Sequence, residues 1–433
     1  MAPVTCKLGI VIVSIALVLV EGFAPQRVEG KFKFRTKPIE AASSDSSISF
    51  DALQGKRILV VGGSGRVGGS VVTQLVKRGA SKVTVGGTNE DRFEQSMSRW
   101  IQLFDDLEFV NTVSFESVQR EDPASFEKVL QASSYDLVVH TAGPFQGKVT
   151  ARNGVLEACV ANNVAYVDVC DDYCTATAAK TKYQKQAQEN GVPCLLSTGC
   201  WPGVSSLMAK QLVTKVLEEN PKLSPSDLKV DFGFFTAGSG GAGATLLVAT
   251  FLILAEKALM VVEGRRRPVQ AMKEYKTVNF GDVIGDKEIA HLNLLETASV
   301  HDVLGVGSVK SLFGTAPGFW NTLLVDFFAG ATNAMRCDVT TDKDPTISAS
   351  LLYGHENLEP CVGECVAAFC CAILSGTVKP GVWFTEEAIQ EGDAAAVLGL
   401  ASVGAHTKEY LGTIDIAAEE MWGTTTSPNL VNA

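Results

Sequence analysis

The stretch RILVVGGSGRVGGSVVTQLVKRG, residues 57–79 of 433, constrains the fold more than any other segment of the chain. A short β-branched apolar run enters a cluster of glycines, and Val67, Val71 and Leu75 then recur every four residues until Gly79 ends the pattern. That spacing puts three apolar side chains on one helix face, and a glycine just past them supplies a C-terminal cap. Gly63, Gly65 and Gly68 satisfy GxGxxG, and Gly62 with the last two satisfies GxxGxxG. Strand, glycine turn and helix in this order set free N–H groups and the positive end of a helix dipole where a pyrophosphate can lie. Gly62, Gly63, Ser64, Gly65, Arg66, Val67 and Gly68 are therefore candidate cofactor-binding residues. The competing reading is a tight turn without a ligand.

The chain around this motif alternates. Apolar, β-rich runs at 58–61, 82–85, 109–113, 136–140, 165–169 and 193–197 are separated mostly by segments of helical period, such as TATAAKTKYQKQAQENG. Alternation of this kind predicts a doubly wound parallel sheet of the Rossmann type over residues 51–203. The helix VSSLMAKQLVTKVLEEN closes that unit, and PKLSPSD marks a boundary through its prolines and serines. Residues 204–433 mix strands (DLKVDFGFFTAG, TISASLLYGHE) with long apolar helices (ATLLVATFLILAEKALMVVEG, GECVAAFCCAILSG), which predicts an α+β C-terminal domain. Glu256 and Lys257 interrupt the first of these helices after about a dozen apolar residues, too few for a membrane span.

Charge and cysteine content exclude other classes. A net charge of −11 disfavours nucleic acid as a partner. The cysteine spacings contain no paired CxxC and no zinc ligand set, so reduced, mostly buried thiols are expected; a regulatory disulfide is the other reading. None of the seven tyrosines is followed by lysine four positions later, which argues against Tyr-x-x-x-Lys proton transfer, and no GxSxG or HExxH is present.

The end of the second predicted strand reports on the ribose of a bound dinucleotide. An NAD site usually places a carboxylate there, bonded to the 2′-hydroxyl. Here the segment reads VTVGGTNEDR, with Gly87, Thr88 and Asn89 at that point and Arg92 nearby. A 2′-phosphate meets no carboxylate at that position, and Arg66, Thr88, Asn89 or Arg92 could bond it, so NADP is favoured over NAD. At the end of the fourth strand, VVHTAGPFQG brings Ala142, Gly143, Pro144 and Phe145 across the switch point, small residues for close approach and a rigid wall for the nicotinamide. His140 in the same segment reads as a strand-end histidine.

GGSGRVGG, HTAGPFQG, YVDVCDD, STGCWPGVSS and the late GVWFTEEAI together resemble the saccharopine dehydrogenase family, particularly its plant and algal saccharopine dehydrogenase-like branch, over about residues 55–390. The resemblance implies a Rossmann domain, a mixed α/β C-terminal domain used for homodimerisation, and nicotinamide-dependent chemistry at a C=N or C–N bond of a small substrate. The chain departs from the family's usual pattern at Thr88, where relatives commonly have arginine, and at Asp171 and Asp172, where glycine and glutamate are common. Two alternatives stay open beside an oxidoreductase of that kind: a dinucleotide-binding Rossmann module without turnover, and a polyamine reductase of the carboxynorspermidine type. An acidic pocket would suit the polyamine and a basic one a keto acid.

Asp168 and Asp172 are the candidate catalytic residues, because the carboxyl ends of strands in an open α/β sheet face the ligand crevice. Capping of the following helix is the alternative role for these acids.

The N-terminus reads as a targeting segment. KLGIVIVSIALVLV is one lysine followed by thirteen uncharged, mostly apolar residues, as in a signal peptide over residues 1–22. Residues 23–50 carry Arg27, Lys31, Lys33, Arg35 and Lys37 and a serine-rich tract, as in a transit peptide. A signal peptide followed by FAP and a basic tract resembles the bipartite plastid presequence of diatoms and related algae, implying the plastid stroma and no membrane span after processing; an uncleaved signal anchor is the other reading.

Overall fold

The computed structural model describes residues 48–104, 107–146, 153–237, 252–316, 332–356, 358–411 and 430–431. The expected signal and transit segments, up to residue 47, lie outside the described residues.

The first sheet begins with β1 (Arg57–Val61), β2 (Lys82–Gly87), β3 (Val113–Ser117), β4 (Leu137–His140), β5 (Ala165–Asp168) and β6 (Pro193–Leu196). The strands lie in the order β6-β5-β4-β1-β2-β3 and pair in parallel. Ile58, Leu59, Val60 and Val61 are buried on both faces of β1, as a central strand of a two-sided parallel sheet requires. Each such side chain contributes about 1.5–3 kcal/mol on burial. The chain runs from β1 outward to β3 and then returns to the other side of β1 with β4, so the strand order reverses between β1 and β4. A crevice opens at such a reversal, at the carboxyl ends of the strands.

The run at 109–113, expected as a strand, divides differently. Leu107–Thr112 is helical, with Phe109 buried edge-on against Trp100 at 6.0 Å, and β3 starts only at Val113. From there Val113 and Phe115 alternate with polar residues and pair in register with Val83 and Val85.

The second sheet comprises β7 (Leu228–Ala237), β8 (Ala258–Val262), β9 (Arg265–Val269), β10 (Lys276–Asn279), β11 (Asp286–His291), β12 (Ser308–Ala316), β13 (Thr332–Thr341) and β14 (Ser348–His355). In chain order β15 (Gly381–Phe384) follows, and β16 (His406–Leu411) and β17 (Leu430–Val431) complete this second sheet. The order is β10-β11-β12-β7-β13-β14-β16-β17, with the β8–β9 hairpin attached to β12. Only β12 and β7 pair in parallel among these described neighbours. The helix expected to continue through ALMVVEG stops short of it. Residues 238–251 lie outside the described residues, Leu252–Leu254 are helical, and Ala258–Val262 is β8, turned into β9 by Glu263 and Gly264 at φ 49° and 72°. A β-branched run followed by two residues of positive φ is a hairpin signal, and it prevails here over the apolar helical period. No helix among the described residues is long and apolar enough to cross a membrane.

The division of the chain at residue 203 is not clean. After the second sheet, β15 joins the first in parallel beside β6, Val382 opposite Cys194. The helix Leu358–Leu374 also returns, crossing the helix Arg66–Lys77 so closely that a Cβ on Gly363 would stand 2.3 Å from Ser70 Oγ. One apolar core runs from Val60 and Val83 through Leu207 and Leu212 of the helix Val204–Glu219 to Phe232, Val339 and Ala349 of the second sheet. Ten described cysteines are free thiols, nine of them buried and Cys174 exposed.

Candidate functional site

A cavity of roughly 560 Å3 lies at the carboxyl ends of β1, β2, β4, β5 and β6, and the second sheet and its helices close its far side. Its geometry starts from the glycine turn. Gly62 has φ 82° and donates its N–H to the Gly86 carbonyl at 2.8 Å, and a Cβ there would stand 2.9 Å from the Ala142 backbone. The turn after β1 and the loop after β4 thus touch backbone to backbone, tied further by Thr141 Oγ1, which donates to Val61 O at 2.8 Å. Gly65 caps the helix Arg66–Lys77 from an extended conformation with no side-chain cap bond, and residues 64–68 line the cavity. The first-turn amides are therefore left to whatever occupies the cavity. This cradle, whose close backbone packing leaves no room for a Cβ at 62 or 68, fits the pyrophosphate of a dinucleotide.

Gly62, Ser64, Gly65, Arg66, Val67, Gly68, Thr88, Asn89, Arg92, Ala142, Gly143, Pro144 and Phe145 all lie on the cavity wall. Gly63 does not. It packs the turn onto β2, where a Cβ would meet both methyls of Val85 at 3.1 Å. After β2, Asn89 Oδ1 accepts the Arg92 N–H at 2.9 Å and so caps the helix Glu90–Phe104. Arg66 pairs with Glu359 at 3.4 Å, and burial pushes the Glu359 carboxyl up to about 7 while Arg66 and Arg99 pull it down.

The two expected catalytic acids stand off the wall. Asp168 is 1% exposed: Oδ2 accepts the Tyr166 hydroxyl at 2.9 Å, and Oδ1 accepts the N–H groups of Cys170 at 3.1 Å and Ser197 at 2.8 Å. The same phenol oxygen lies 3.0 Å from His140 Nδ1 and accepts from Asn153 Nδ2 at 2.9 Å. Residues two apart on a strand share a face, so Asp168 turns inward with Tyr166 and away from the crevice. Burial pushes its carboxyl up to about 6. Asp172 caps the helix Tyr173–Glu189, accepting the Thr175 N–H at 2.7 Å.

Asp171, between them, is the acid that reaches the cavity wall, and burial pushes its carboxyl up to about 6. Glu296 faces the same cavity from the second domain, fully buried and pushed up by that burial to about 7. Arg120 was equally hidden in the sequence. Its guanidinium donates to the carbonyls of Ala142 and Gly143, the latter at 2.8 Å, and so props the loop after β4. Trp201, tilted at 47° against Phe234 with ring centroids 5.4 Å apart, and Phe313 supply aromatic surface.

Residues 58–195 match the family model of the saccharopine dehydrogenase NADP-binding domain. A curated relative, UDP-glucose 4-epimerase 2 of Arabidopsis thaliana, is 34% identical over 90 residues, which are 20% of this chain and 24% of the epimerase. The chain thus spans about a quarter of the length of that relative. The solved structure of apo histidine-tagged saccharopine dehydrogenase (L-Glu forming) from Saccharomyces cerevisiae superposes with a TM-score of 0.57 at 13% identity, covering 82% of this chain and 99% of that one. Residues 58–195 are thus similar to a saccharopine dehydrogenase NADP-binding domain, and the fold as a whole matches that of saccharopine dehydrogenase.

Proposed function

We propose that the protein is an NADP-dependent oxidoreductase acting on a C–N or C=N bond of a small substrate. The NADP-binding domain supports a dehydrogenase-like oxidoreductase. The observation that carries the fuller reading is one continuous cavity, from the glycine turn of that domain to Leu295, Glu296 and Phe313 of the second.

The amides at the start of the helix Arg66–Lys77 hold the pyrophosphate, Thr88 and Arg92 bond the 2′-phosphate, and Ala142, Gly143, Pro144 and Phe145 flank the nicotinamide. That ring, when bound, supplies or accepts a hydride. The protein orients the substrate beside it, shuts out water with Trp201, Leu295 and Phe313, and holds a proton at Asp171 or Glu296, whose carboxyls exchange one close to neutral pH. Asp168 and Asp172 position Asp171 from either side, one by fixing the N–H groups of Cys170 and Ser197, the other by anchoring the helix start. Titration with NADPH, followed by NADPH consumption on mixtures of aldehydes and amines, tests this. Tight NADPH binding with turnover on an imine-forming pair is expected, and failure to bind NADPH would refute it.

We further propose that residues 1–50 direct the chain to a plastid, on the strength of the apolar run and the basic, serine-rich tract after it. A reporter fused to those residues should enter the plastid, and Phe23→Ala should keep it out of the inner compartment. Uniform cytosolic fluorescence of the intact fusion would refute this.

A further inference from the structure

The second-domain wall of the cavity carries a carboxyl group that no described residue neutralises. Glu296 opens the helix Leu295–Leu304 and is 0% exposed. Its Oε1 accepts the Ser205 hydroxyl at 2.7 Å, and Oε2 has no hydrogen-bond partner among the described residues. Asp171 faces the same cavity from the first domain. The charges that bear most strongly on Glu296 are those of Glu386 and Asp171, both acidic, and Glu386 is itself 2% exposed. A buried carboxylate without a cation is costly, and a further acid beside it raises the cost.

The cations on the cavity wall come from the first domain. Among the described residues these are Arg66, Arg92 and Arg120. Arg66 pairs with Glu359, Arg92 sits at the ribose end after β2, and Arg120 is spent on the carbonyls of Ala142 and Gly143 and on Glu121 at 3.0 Å. A substrate carboxylate arriving beside Glu296 meets no described cation there, whereas a positive charge meets two carboxyls and the aromatic side chains of Trp201 and Phe313.

We propose that Glu296 and Asp171 form a subsite for a protonated amine, so that the substrate presents an ammonium group, not a carboxylate, at this end of the cavity. The proposal rests on reading the cavity as the site of an NADP-dependent oxidoreductase and names the substrate class that site takes.

The test is calorimetric titration of the full chain, with and without NADP+, using three probes of similar length: 1,4-diaminobutane, butane-1,4-diol and succinate. The diamine should bind, and more tightly than the neutral and anionic probes. Glu296→Gln keeps the Ser205 bond and should weaken diamine binding by about tenfold or more, the loss expected for a charge-assisted hydrogen bond. NADPH affinity should stay unchanged, and the melting temperature should not fall. Asp171→Asn, a second variant on the opposite wall, should weaken the diamine likewise. Succinate binding as tightly as the diamine, or diamine binding indifferent to both substitutions, would overturn the subsite. NADPH binding without diamine binding would overturn the subsite and leave the oxidoreductase reading standing. Diamine binding without NADPH binding would do the reverse.

Discussion

A Cβ on Gly68 would stand 2.3 Å from the carbonyl oxygen of Gly62, which presses the first turn of the helix Arg66–Lys77 directly onto the turn that feeds it. Gly68→Ala should therefore lower both the melting temperature and NADPH affinity, since backbone must move. Gly65→Asp separates the two effects. At Gly65 a Cβ meets only the Gly62 carbonyl, at 3.1 Å, and φ is −75°, so the substitution asks of the fold only a small shift of that carbonyl. Its carboxylate would oppose the pyrophosphate at a cost of up to about 4 kcal/mol. An unchanged melting temperature with NADPH binding lost is the expected pair of results; retained binding would remove the phosphate role of this turn.

NADPH should bind more tightly than NADH, because Thr88 stands where a ribose-binding carboxylate would repel the 2′-phosphate. Arg92→Ala should narrow the difference by roughly 1–3 kcal/mol, a charge-assisted hydrogen bond, and leave NADH affinity alone. Equal loss for both cofactors would place Arg92 away from the 2′-phosphate.

Stability should fall as pH rises through the weakly acidic range. Glu296 has its carboxyl raised by burial from 4.5 to about 7, so the folded chain holds this proton more tightly than the unfolded one. The contribution is fully present below pH 4.5 and is lost on the way to about pH 7. Asp168 and Asp171, raised from 3.8 to about 6, act in the same direction at slightly lower pH. Ser205, Glu386 and Asp171 are the groups that face Glu296, and none supplies a counter-charge. The Glu296 share is on the order of 3 kcal/mol. Melting curves across this range should show a decline that Glu296→Gln reduces; a melting temperature that rises with pH would contradict the assignment.

Asp172→Asn should leave melting temperature and turnover nearly unchanged, since asparagine caps almost as well as aspartate. Asp172→Ala should cost about 1 kcal/mol. Asp168→Asn should destabilise by roughly 1–3 kcal/mol, because an amide cannot accept two N–H groups and a phenol hydrogen together without turning a donor on one of them. Loss of turnover in Asp172→Asn at full stability would give Asp172 a part in the chemistry itself.

Much of the first domain was legible in the sequence for a physical reason. β1, β2, β4, β5 and β6 are short apolar runs buried on both faces, and the glycine turn is a steric necessity that can be read residue by residue. The start of β3 and the β8–β9 hairpin were not, because an apolar run packs as well on a helix as on a sheet until its neighbours are known. The site divided in the same way. Its cofactor half lies within 90 residues of sequence, whereas Glu296 stands 231 residues beyond Gly65 and reads as an ordinary acid in the first turn of a helix. Asp171 was obscured by its neighbours, since only strand direction decides which of the acids at 168, 171 and 172 reaches the crevice. Arg120 bonds two backbone carbonyls, a role that carries no sequence pattern.

When NADP is bound as proposed, Ala142–Phe145 would hold its nicotinamide beside a substrate seated on Asp171 and Glu296, where the ring would supply or accept a hydride. The most direct measurement follows deuterium from NADPH, labelled at the reactive ring carbon, into the product formed from an amine and an aldehyde. Deuterium at the carbon of a new C–N bond, lost in Gly65→Asp and diminished in Glu296→Gln, is the expected result. Tight NADPH binding with no deuterium transferred to any C–N product would contradict it.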